Sequence, residues 1–162
     1  GVAALSALAG PLHGGANEQV WRTMESIGDP ARAGDWLRGE LAAGRRVTGF
    51  GHRVYRRRDP RAEPMREALA QVAAARGGER WVQMHDALVD AMAEERGIPA
   101  NVDLAAGPTC HLLGFSTDMF TPLFAMGRVA GWAAHAVEQR SVRAIIHPLA
   151  AYAGVPQREV PT

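Results

Sequence analysis

The stretch Trp81-Val-Gln-Met-His-Asp-Ala-Leu-Val-Asp-Ala-Met92 decides the fold class of this chain. Its large apolar residues are Trp81, Met84, Leu88 and Met92. They lie three or four positions apart, which is the spacing of residues that share one face of an α-helix. Polar residues fill half of the remaining positions, and Gly97 marks the end of the segment. The pattern predicts an amphipathic helix that buries one side against a hydrophobic core.

The segments before this helix carry the start and stop signals of further helices. Asn17 is predicted to cap a helix that ends at Gly28. Two Asp-Pro pairs follow, Asp29-Pro30 and Asp59-Pro60, and each predicts an N-cap followed by the first helical position, where proline is tolerated. The second pair leads into a helix that is expected to end at Gly77-Gly78.

The segments after it also predict helices. A loop at 98–103 is expected to deliver a carboxylate, and a short apolar helix follows around Leu112. Ser116 is predicted to open the most hydrophobic helix, which runs to about Gln139. The tail from Ser141 is expected to be loosely structured. The predicted fold class is therefore all-α and multi-helical.

Composition restricts the possible functions. A chain of 162 residues with 47% hydrophobic content is long enough for one domain with a core, or for a piece of a larger domain. A formal net charge of +1 does not by itself indicate nucleic-acid binding. The single cysteine, Cys110, excludes an internal disulfide and predicts a packing residue in a cytoplasmic protein. The apolar opening at 1–9 is too short to span a bilayer, so no membrane association is expected.

Chemistry is concentrated in the stretch Gly49-Phe-Gly-His-Arg-Val-Tyr-Arg-Arg-Arg-Asp-Pro-Arg61. Its glycines permit backbone angles closed to other residues, so the main chain can approach a ligand and present His52 from a tight turn. Histidine exchanges a proton near neutral pH. The arginines offer planar, always-charged forks that suit carboxylates and phosphates. The stretch predicts an anionic substrate held beside a proton donor.

Two further residues share the setting of His52. His13 and Asp103, like His52, each lie in a segment that bears glycine or proline at the edge of a predicted helix. A carboxylate and two imidazoles that converge on an arginine-lined cleft would suit proton abstraction next to a carbonyl group. Each residue alone has a plainer interpretation, since a loop histidine often only makes hydrogen bonds and an aspartate often caps a helix.

Three separated motifs resemble those of the citrate synthase family and occur in its order. They are Gly10-Pro-Leu-His-Gly-Gly-Ala-Asn17, the stretch Gly49-Phe-Gly-His-Arg-Val-Tyr55 with Asp59-Pro-Arg61 downstream, and Asn101-Val-Asp103. The resemblance covers nearly the whole chain but only the C-terminal part of that family's length. It implies that Asp103 is the base that takes a proton from the methyl group of acetyl-CoA. It also implies that His13 hydrogen-bonds the thioester oxygen and that His52 polarises the carbonyl of oxaloacetate.

The resemblance also implies substrate contacts beyond these three residues. Arg61 and Arg128 match arginines that hold carboxylates of oxaloacetate. The CoA contacts that it implies are Arg46, Val47, Gly49, Phe50, Gly51, Arg53 and Arg56. No metal and no resident cofactor is implied, since the CoA thioester is a substrate.

The match departs from the family at two places. The family usually has an arginine before the proline of the tail, where this chain has His147, so one carboxylate contact is expected to be weaker. The segment 104–107 lacks the aromatic residue and the serine that are common there. The resemblance implies that 1–10 ends a large-domain helix, that 11–115 forms the small CoA-binding and catalytic domain, and that 116–162 returns to the large domain.

The resemblance implies that part of the active site lies outside this chain. We therefore expect the chain alone to be inactive, or to need a homodimer or a companion chain that supplies the N-terminal half. The helix from Phe120 to Trp132 is expected to present an apolar face that such a partner covers.

Several other functions remain open from the sequence. A 2-methylcitrate synthase that takes propionyl-CoA differs by one methylene in its substrate, and a non-catalytic CoA-binding or regulatory chain would keep the same basic loop. Nucleic-acid binding through the arginine run is disfavoured, because a CoA diphosphate site explains the same residues. A hydrolase is disfavoured because the sequence contains no Gly-x-Ser-x-Gly motif. A metal site is disfavoured because His85, His111 and His135 lack paired ligand spacing.

Overall fold

The computed structural model describes residues 2–8, 14–142, 149, 151 and 153–155. Seven α-helices lie in these ranges, and they are α1 Val2–Leu8, α2 Ala16–Ile27, α3 Ala33–Ala42, α4 Ala62–Arg76, α5 Glu79–Glu95, α6 Val102–Leu112 and α7 Phe120–Val142. Short 3-10 turns precede α3 and α7. Within the described ranges the only β-type pairing is one isolated antiparallel bridge between Phe50 and Ala100. The all-α prediction is confirmed, whereas most of the tail expected from Ser141 onward lies outside the described residues.

The hydrophobic core is built around the predicted face of α5. Trp81, Met84, Leu88 and Met92 are all buried. They pack in one cluster with the apolar faces of α2 and α3. The periodicity of the sequence therefore identified the central helix of the core correctly.

A glycine allows α2 and α6 to pack closely. A Cβ atom on Gly107 would lie 2.5 Å from the carbonyl oxygen of Asn17 and 3.2 Å from the amide nitrogen of Trp21. Pro108 follows within α6 and is buried. Because any side chain at 107 would push the helices apart, this glycine fixes the distance between α2 and the helix that carries Asp103.

The predicted helix starts were partly wrong. Asn17 is not the N-cap of α2, since that helix begins at Ala16 with Gly15 at the cap position. Asn17 is instead buried in the first turn, where its side chain accepts a hydrogen bond from the amide of Glu18. Asp29 does act as predicted, because its Oδ1 accepts from the amide of Ala31 at 2.9 Å. The prediction for Asp59-Pro60 was wrong, since α4 begins at Ala62 with Arg61 at the cap position.

The residue contacts divide the chain into one unit at 1–128 and another at 129–162. In the first unit, the hydroxyl of Thr121 on α7 donates to the carbonyl of Gly14 at 2.7 Å. In the second unit, the apolar side chains of Val129, Val137 and Val142 on α7 are exposed. None of the described helices is long and apolar enough to cross a membrane. The domain boundaries expected at 10 and 115 stay a prediction.

Candidate active site

A cleft of about 780 Å³ opens in the first unit between residues 49–61, called the glycine stretch below, the start of α6 and the first turns of α2. It brings together His52, Arg61 and Asp103, which are far apart in sequence. The other lining residues are Ala16, Gln19, Arg46, Val47, Thr48, Gly49, Phe50, Gly51, Arg53, Asn101, Val102 and Phe124. The cleft therefore combines an imidazole, a carboxylate and several guanidinium groups.

The backbone of the glycine stretch requires its two glycines. Gly49 has φ +98° and Gly51 has φ +71°, both in the region that favours glycine. A Cβ atom on Gly49 would lie 2.7 Å from Cδ1 of Leu104 and 3.1 Å from Cγ2 of Val20. The main chain at Gly49 therefore lies directly against α2 and α6, closer than any residue with a side chain allows.

Hydrogen bonds join this stretch to the segment before α6. The amide of Asn101 donates to the carbonyl of Gly49 at 2.9 Å, and the amide of Gly51 donates to the carbonyl of Pro99 at 2.8 Å. The side-chain amide of Asn101 adds a third bond, from Nδ2 to the carbonyl of Gly51 at 2.9 Å. These bonds hold His52, which follows Gly51 directly, next to the beginning of the helix that carries Asp103.

The hydrogen bonds of His52 assign its tautomer. Nδ1 accepts from the amides of Val54 and Tyr55, each at 3.1 Å. In the neutral ring the proton is therefore on Nε2, which is a hydrogen-bond donor. The ring also stacks on Tyr55 with a centroid distance of 4.7 Å. An oriented imidazole N–H of this kind can polarise a carbonyl oxygen.

Asp103 lies in the first turn of α6 and not in the loop that the sequence predicted. Asn101 is the N-cap, and its Oδ1 accepts from the amide of Asp103 at 3.0 Å. The partial positive charge of a helix N-terminus favours a carboxylate at this position. Asp103 is half-buried and lines the cleft, a position from which a carboxylate can reach a bound ligand.

Arg61 is held at the edge of the cleft by Asp59. Its Nε and Nη2 donate to the two oxygens of Asp59, each at 2.9 Å. The hydrogen bonds from Arg61 hold the pKa of Asp59 at about 2 although the carboxyl is buried. The Asp59 carboxylate, and more weakly that of Asp103, raises the pKa of Arg61. Arg61 is thus a fixed cation whose side chain is 42% exposed, an arrangement that suits recognition of a substrate carboxylate.

The remaining predicted site residues are not all in the cleft. The predicted CoA residues from Arg46 to Arg53 line it, but Arg56 is exposed and is not part of the lining. Arg128 is also exposed, and its guanidinium lies 5.3 Å from the ring centre of Phe124, which does line the cleft. His13 and His147 lie outside the described residues.

Sequence reasoning missed three polar residues of the cleft wall. The hydroxyl of Thr48 donates to Oε1 of Gln19 at 2.8 Å, across 29 positions. Asn101 was part of a motif, but its bond to the Gly51 carbonyl was not anticipated. The signal available for Asn101 was its N-cap position before Asp103, whereas the sequence carried no signal for the Thr48–Gln19 pair.

Two of the histidines outside the cleft have ordinary structural roles. His85 is buried on α5 and shares a hydrogen bond with Asp86 at 2.9 Å. His111 stacks on Trp21 with a centroid distance of 3.8 Å. Among the described residues, no group of three or more histidine, cysteine, aspartate or glutamate side chains is arranged to hold a metal ion.

Comparison with known proteins gives a consistent result. The family described as "Citrate synthase, C-terminal domain" matches residues 1–149. The chain is 51% identical over 157 residues to 2-methylcitrate synthase 2 of Corynebacterium glutamicum, covering 97% of this chain and 41% of that protein. It is 46% identical over 158 residues to a citrate synthase of Mycolicibacterium smegmatis, covering 98% of this chain and 42% of the relative.

Solved structures agree with these relatives. The ternary complex of citrate synthase from Thermoplasma acidophilum with carboxymethyl coenzyme A and oxaloacetate matches with a TM-score of 0.85 at 34% identity, over 96% of this chain and 43% of that one. The chain therefore spans about two fifths of the length of the proteins that it matches.

Proposed function

Because this chain belongs to the citrate synthase family, we propose that it carries the catalytic groups of an acyl-CoA condensing enzyme of the acyltransferase type. The enzyme joins acetyl-CoA and oxaloacetate to give citrate and CoA. One observation carries the proposal: His52, Arg61 and Asp103, from three separate segments, line a single cleft. An oriented donor, a carboxylate-binding cation and a base are what a condensation next to a thioester requires.

In the first step, Asp103 takes a proton from the methyl group of acetyl-CoA. The electron pair of the broken C–H bond moves toward the thioester oxygen, where negative charge develops. His13 donates a hydrogen bond to that oxygen, a role assigned by the motif around it. Because an α-proton beside a thioester is weakly acidic, the carboxylate needs this oxygen stabiliser to act with it.

In the second step, the enol carbon attacks the carbonyl carbon of oxaloacetate. The new carbon–carbon bond forms as the carbonyl π bond breaks, and Nε2–H of His52 supplies hydrogen bonding and then a proton to the oxygen. Water hydrolyses the resulting thioester, which gives citrate and free CoA. Arg61, Arg128 and His147 are proposed to hold the carboxylates of oxaloacetate.

CoA is proposed to lie along the backbone from Arg46 to Arg53, with Arg56 as a phosphate contact. The backbone at Gly49 and Gly51 can approach the adenine portion closely, because neither residue has a side chain. The reaction as written requires no resident metal or cofactor. All groups that move protons are side chains of the protein.

The active protein is proposed to be a cytoplasmic homodimer, or an assembly with a companion chain, that serves the tricarboxylic acid cycle. Support comes from the exposed apolar residues of α7, such as Met126 at 71% exposure. The chain also spans only about two fifths of its relatives. Purified alone as a monomer, it is expected to be inactive, and turnover by that monomer would contradict this expectation.

A 2-methylcitrate synthase is the second candidate, favoured by relatives of that name at 48% to 51% identity. Its substrate, propionyl-CoA, has one more methylene than acetyl-CoA, which is worth about 1–3 kcal/mol in an apolar pocket. The ratio of kcat/KM for the two thioesters, measured side by side, decides between the candidates.

The test of the proposed function uses release of free CoA as its signal. The chain is assayed alone and combined with the remaining N-terminal part of a relative, with oxaloacetate and each thioester. Asp103→Asn is expected to abolish turnover in the active assembly while CoA affinity, measured by calorimetry, is retained. Asp90→Asn, an exposed aspartate on α5, is the matched control and is expected to keep both.

Two outcomes would contradict the proposed function, in which Asp103 is the base of a condensation. Turnover that survives Asp103→Asn would exclude Asp103 as the base. CoA binding without turnover in any assembly would favour a non-catalytic CoA-binding or regulatory chain instead.

A further inference from the structure

The two Asp-Pro pairs have the same local geometry but different surroundings. Oδ1 of Asp29 accepts from the amide two residues on, at 2.9 Å, and Oδ1 of Asp59 does the same at 3.0 Å. Asp29 is exposed, as expected for a helix cap. Asp59 is only 1% exposed. Asp59 is not the N-cap of α4, where Arg61 occupies that position. Burying a carboxylate is costly unless it is fully paired, so the position of Asp59 needs another explanation.

Asp59 is paired by four N–H groups from two segments. Oδ1 accepts from the amide and from Nε of Arg61, and Oδ2 accepts from Nη2 of Arg61. Oδ2 also accepts from the amide of Val102 at 3.2 Å, across 43 positions. One buried anion therefore connects the guanidinium of Arg61 with the first residue of α6.

Both ends of this connection lie at the cleft. Arg61 and Val102 line it, and Asp103 is the next residue after Val102. Two of the three guanidinium nitrogens of Arg61 donate to Asp59, which fixes the plane of the fork. The bond to Val102 fixes the start of α6 relative to the same carboxylate. The buried side chain of Asp59 therefore fixes the positions of both Arg61 and the turn that carries Asp103.

We propose that Asp59 is a positioning residue for the condensation, which orients Arg61 toward the substrate carboxylate and holds the first turn of α6 so that Asp103 faces the same cleft. This inference rests on the proposed function. Asp59 itself does not line the cleft, so it acts only through these two neighbours.

Two substitutions separate the two connections. Asn is close in shape to Asp and can still accept from the amide of Val102 with its one oxygen. Its NH₂ group then faces the amide and Nε of Arg61, and only the bond from Nη2 remains. Asp59→Asn therefore weakens the connection to Arg61 and keeps the one to Val102. Asp59→Ala removes both connections. Asp29→Asn and Asp29→Ala change the other Asp-Pro pair in the same way and are the matched controls.

The experiment measures kcat and both KM values in the active assembly that tests the proposed function. Asp59→Asn is expected to raise KM for oxaloacetate on the order of tenfold, with KM for the thioester within about twofold. Asp59→Ala is expected to lower kcat as well, so that kcat/KM for oxaloacetate falls on the order of 10²-fold. The thioester KM is insensitive because the bonds from 99–101 to Gly49 and Gly51 do not involve Asp59. The Asp29 variants are expected to stay within about twofold of wild type.

Other outcomes overturn the inference. Kinetics of Asp59→Asn equal to wild type would show that Asp59 positions nothing. Equal loss for both substrates, together with a lowered unfolding midpoint, would reduce Asp59 to a structural residue. If Asp59→Ala does not fold, Asp59→Asn alone tests the inference, through the difference between its effects on the KM for oxaloacetate and the KM for the thioester. No turnover by the wild type in any assembly would overturn the proposed function together with this inference. An active wild type with unchanged Asp59→Asn kinetics would overturn this inference alone.

Discussion

Asn101 joins the glycine stretch to α6, and the hydrogen bonds of its side chain give the expected loss in free energy of unfolding when it is replaced. Its Oδ1 caps α6 by accepting from the amide of Asp103, and its Nδ2 donates to the carbonyl of Gly51. Loss of an N-cap costs about 1 kcal/mol, and loss of a hydrogen bond to a half-buried carbonyl costs about 1 kcal/mol more. Asn101→Ala is therefore expected to lower the free energy of unfolding by about 2 kcal/mol.

A second substitution separates the two contributions. Serine caps helices well but is too short to reach Gly51 as Asn101 does, so Asn101→Ser is expected to lose about 1 kcal/mol. Urea unfolding followed by circular dichroism gives both values, and Gln83→Ala on the exposed side of α5 is the control. Hydrogen exchange at the amide of Gly51, which donates to Pro99, is expected to be faster in both Asn101 variants than in wild type.

The reasoning would be refuted by either of two results. Asn101→Ala within about 0.5 kcal/mol of wild type, the range of ordinary surface substitutions, would show that neither bond stabilises the fold. Equal losses for Ser and Ala would show that the cap contributes nothing and that only the bond to Gly51 matters.

Two further predictions concern packing and pH. Gly49→Ala combines a positive φ with a Cβ atom only 2.7 Å from Leu104, so it is expected to cost about 2–4 kcal/mol in urea unfolding. Gly97→Ala, where φ is +62° and the space is open, should cost about 1 kcal/mol, and equal losses would argue against the clash. Burial lowers the pKa of His85 despite its bond to Asp86. As pH falls, the unfolded state therefore binds a proton before the folded state does. The free energy of unfolding should decline as pH falls below about 6.5, the ordinary pKa of histidine. His85→Gln should flatten that part of the curve of unfolding free energy against pH, and an unchanged slope would exclude His85 as its source.

The helices were largely predictable because their signals are local. The spacing of Trp81, Met84 and Leu88 determines which side of α5 is apolar, whatever surrounds it. Gly77 ends α4 with φ +70°, as its position after the periodic segment indicated. Asn17 was misassigned because a capping residue and a buried first-turn asparagine look alike in sequence, and only the packing of α2 on α6 distinguishes them.

The candidate site was predictable in its residue types but not in its connections. The residue types of Gly49, His52 and Asp103 by themselves indicate a close backbone approach, a proton donor and a base. The tautomer of His52 depends on two backbone amides that fold back onto its ring. The place of Asp103 within α6, one residue after Val102, depends on where the helix begins.

The sequence by itself determined that the chain is helical, where most helices end, and which segment concentrates anion-binding groups. Only the tertiary structure decided that Asp59, unlike Asp29 of the other Asp-Pro pair, is buried and bonded to a distant segment. Both aspartates accept from the amide two positions on, and the side chain of Arg61 adds two more local bonds to Asp59. The contact of Asp59 with Val102 spans 43 positions and that of Asn101 with Gly51 spans 50, so they exist only once α2, α4 and α6 have packed together.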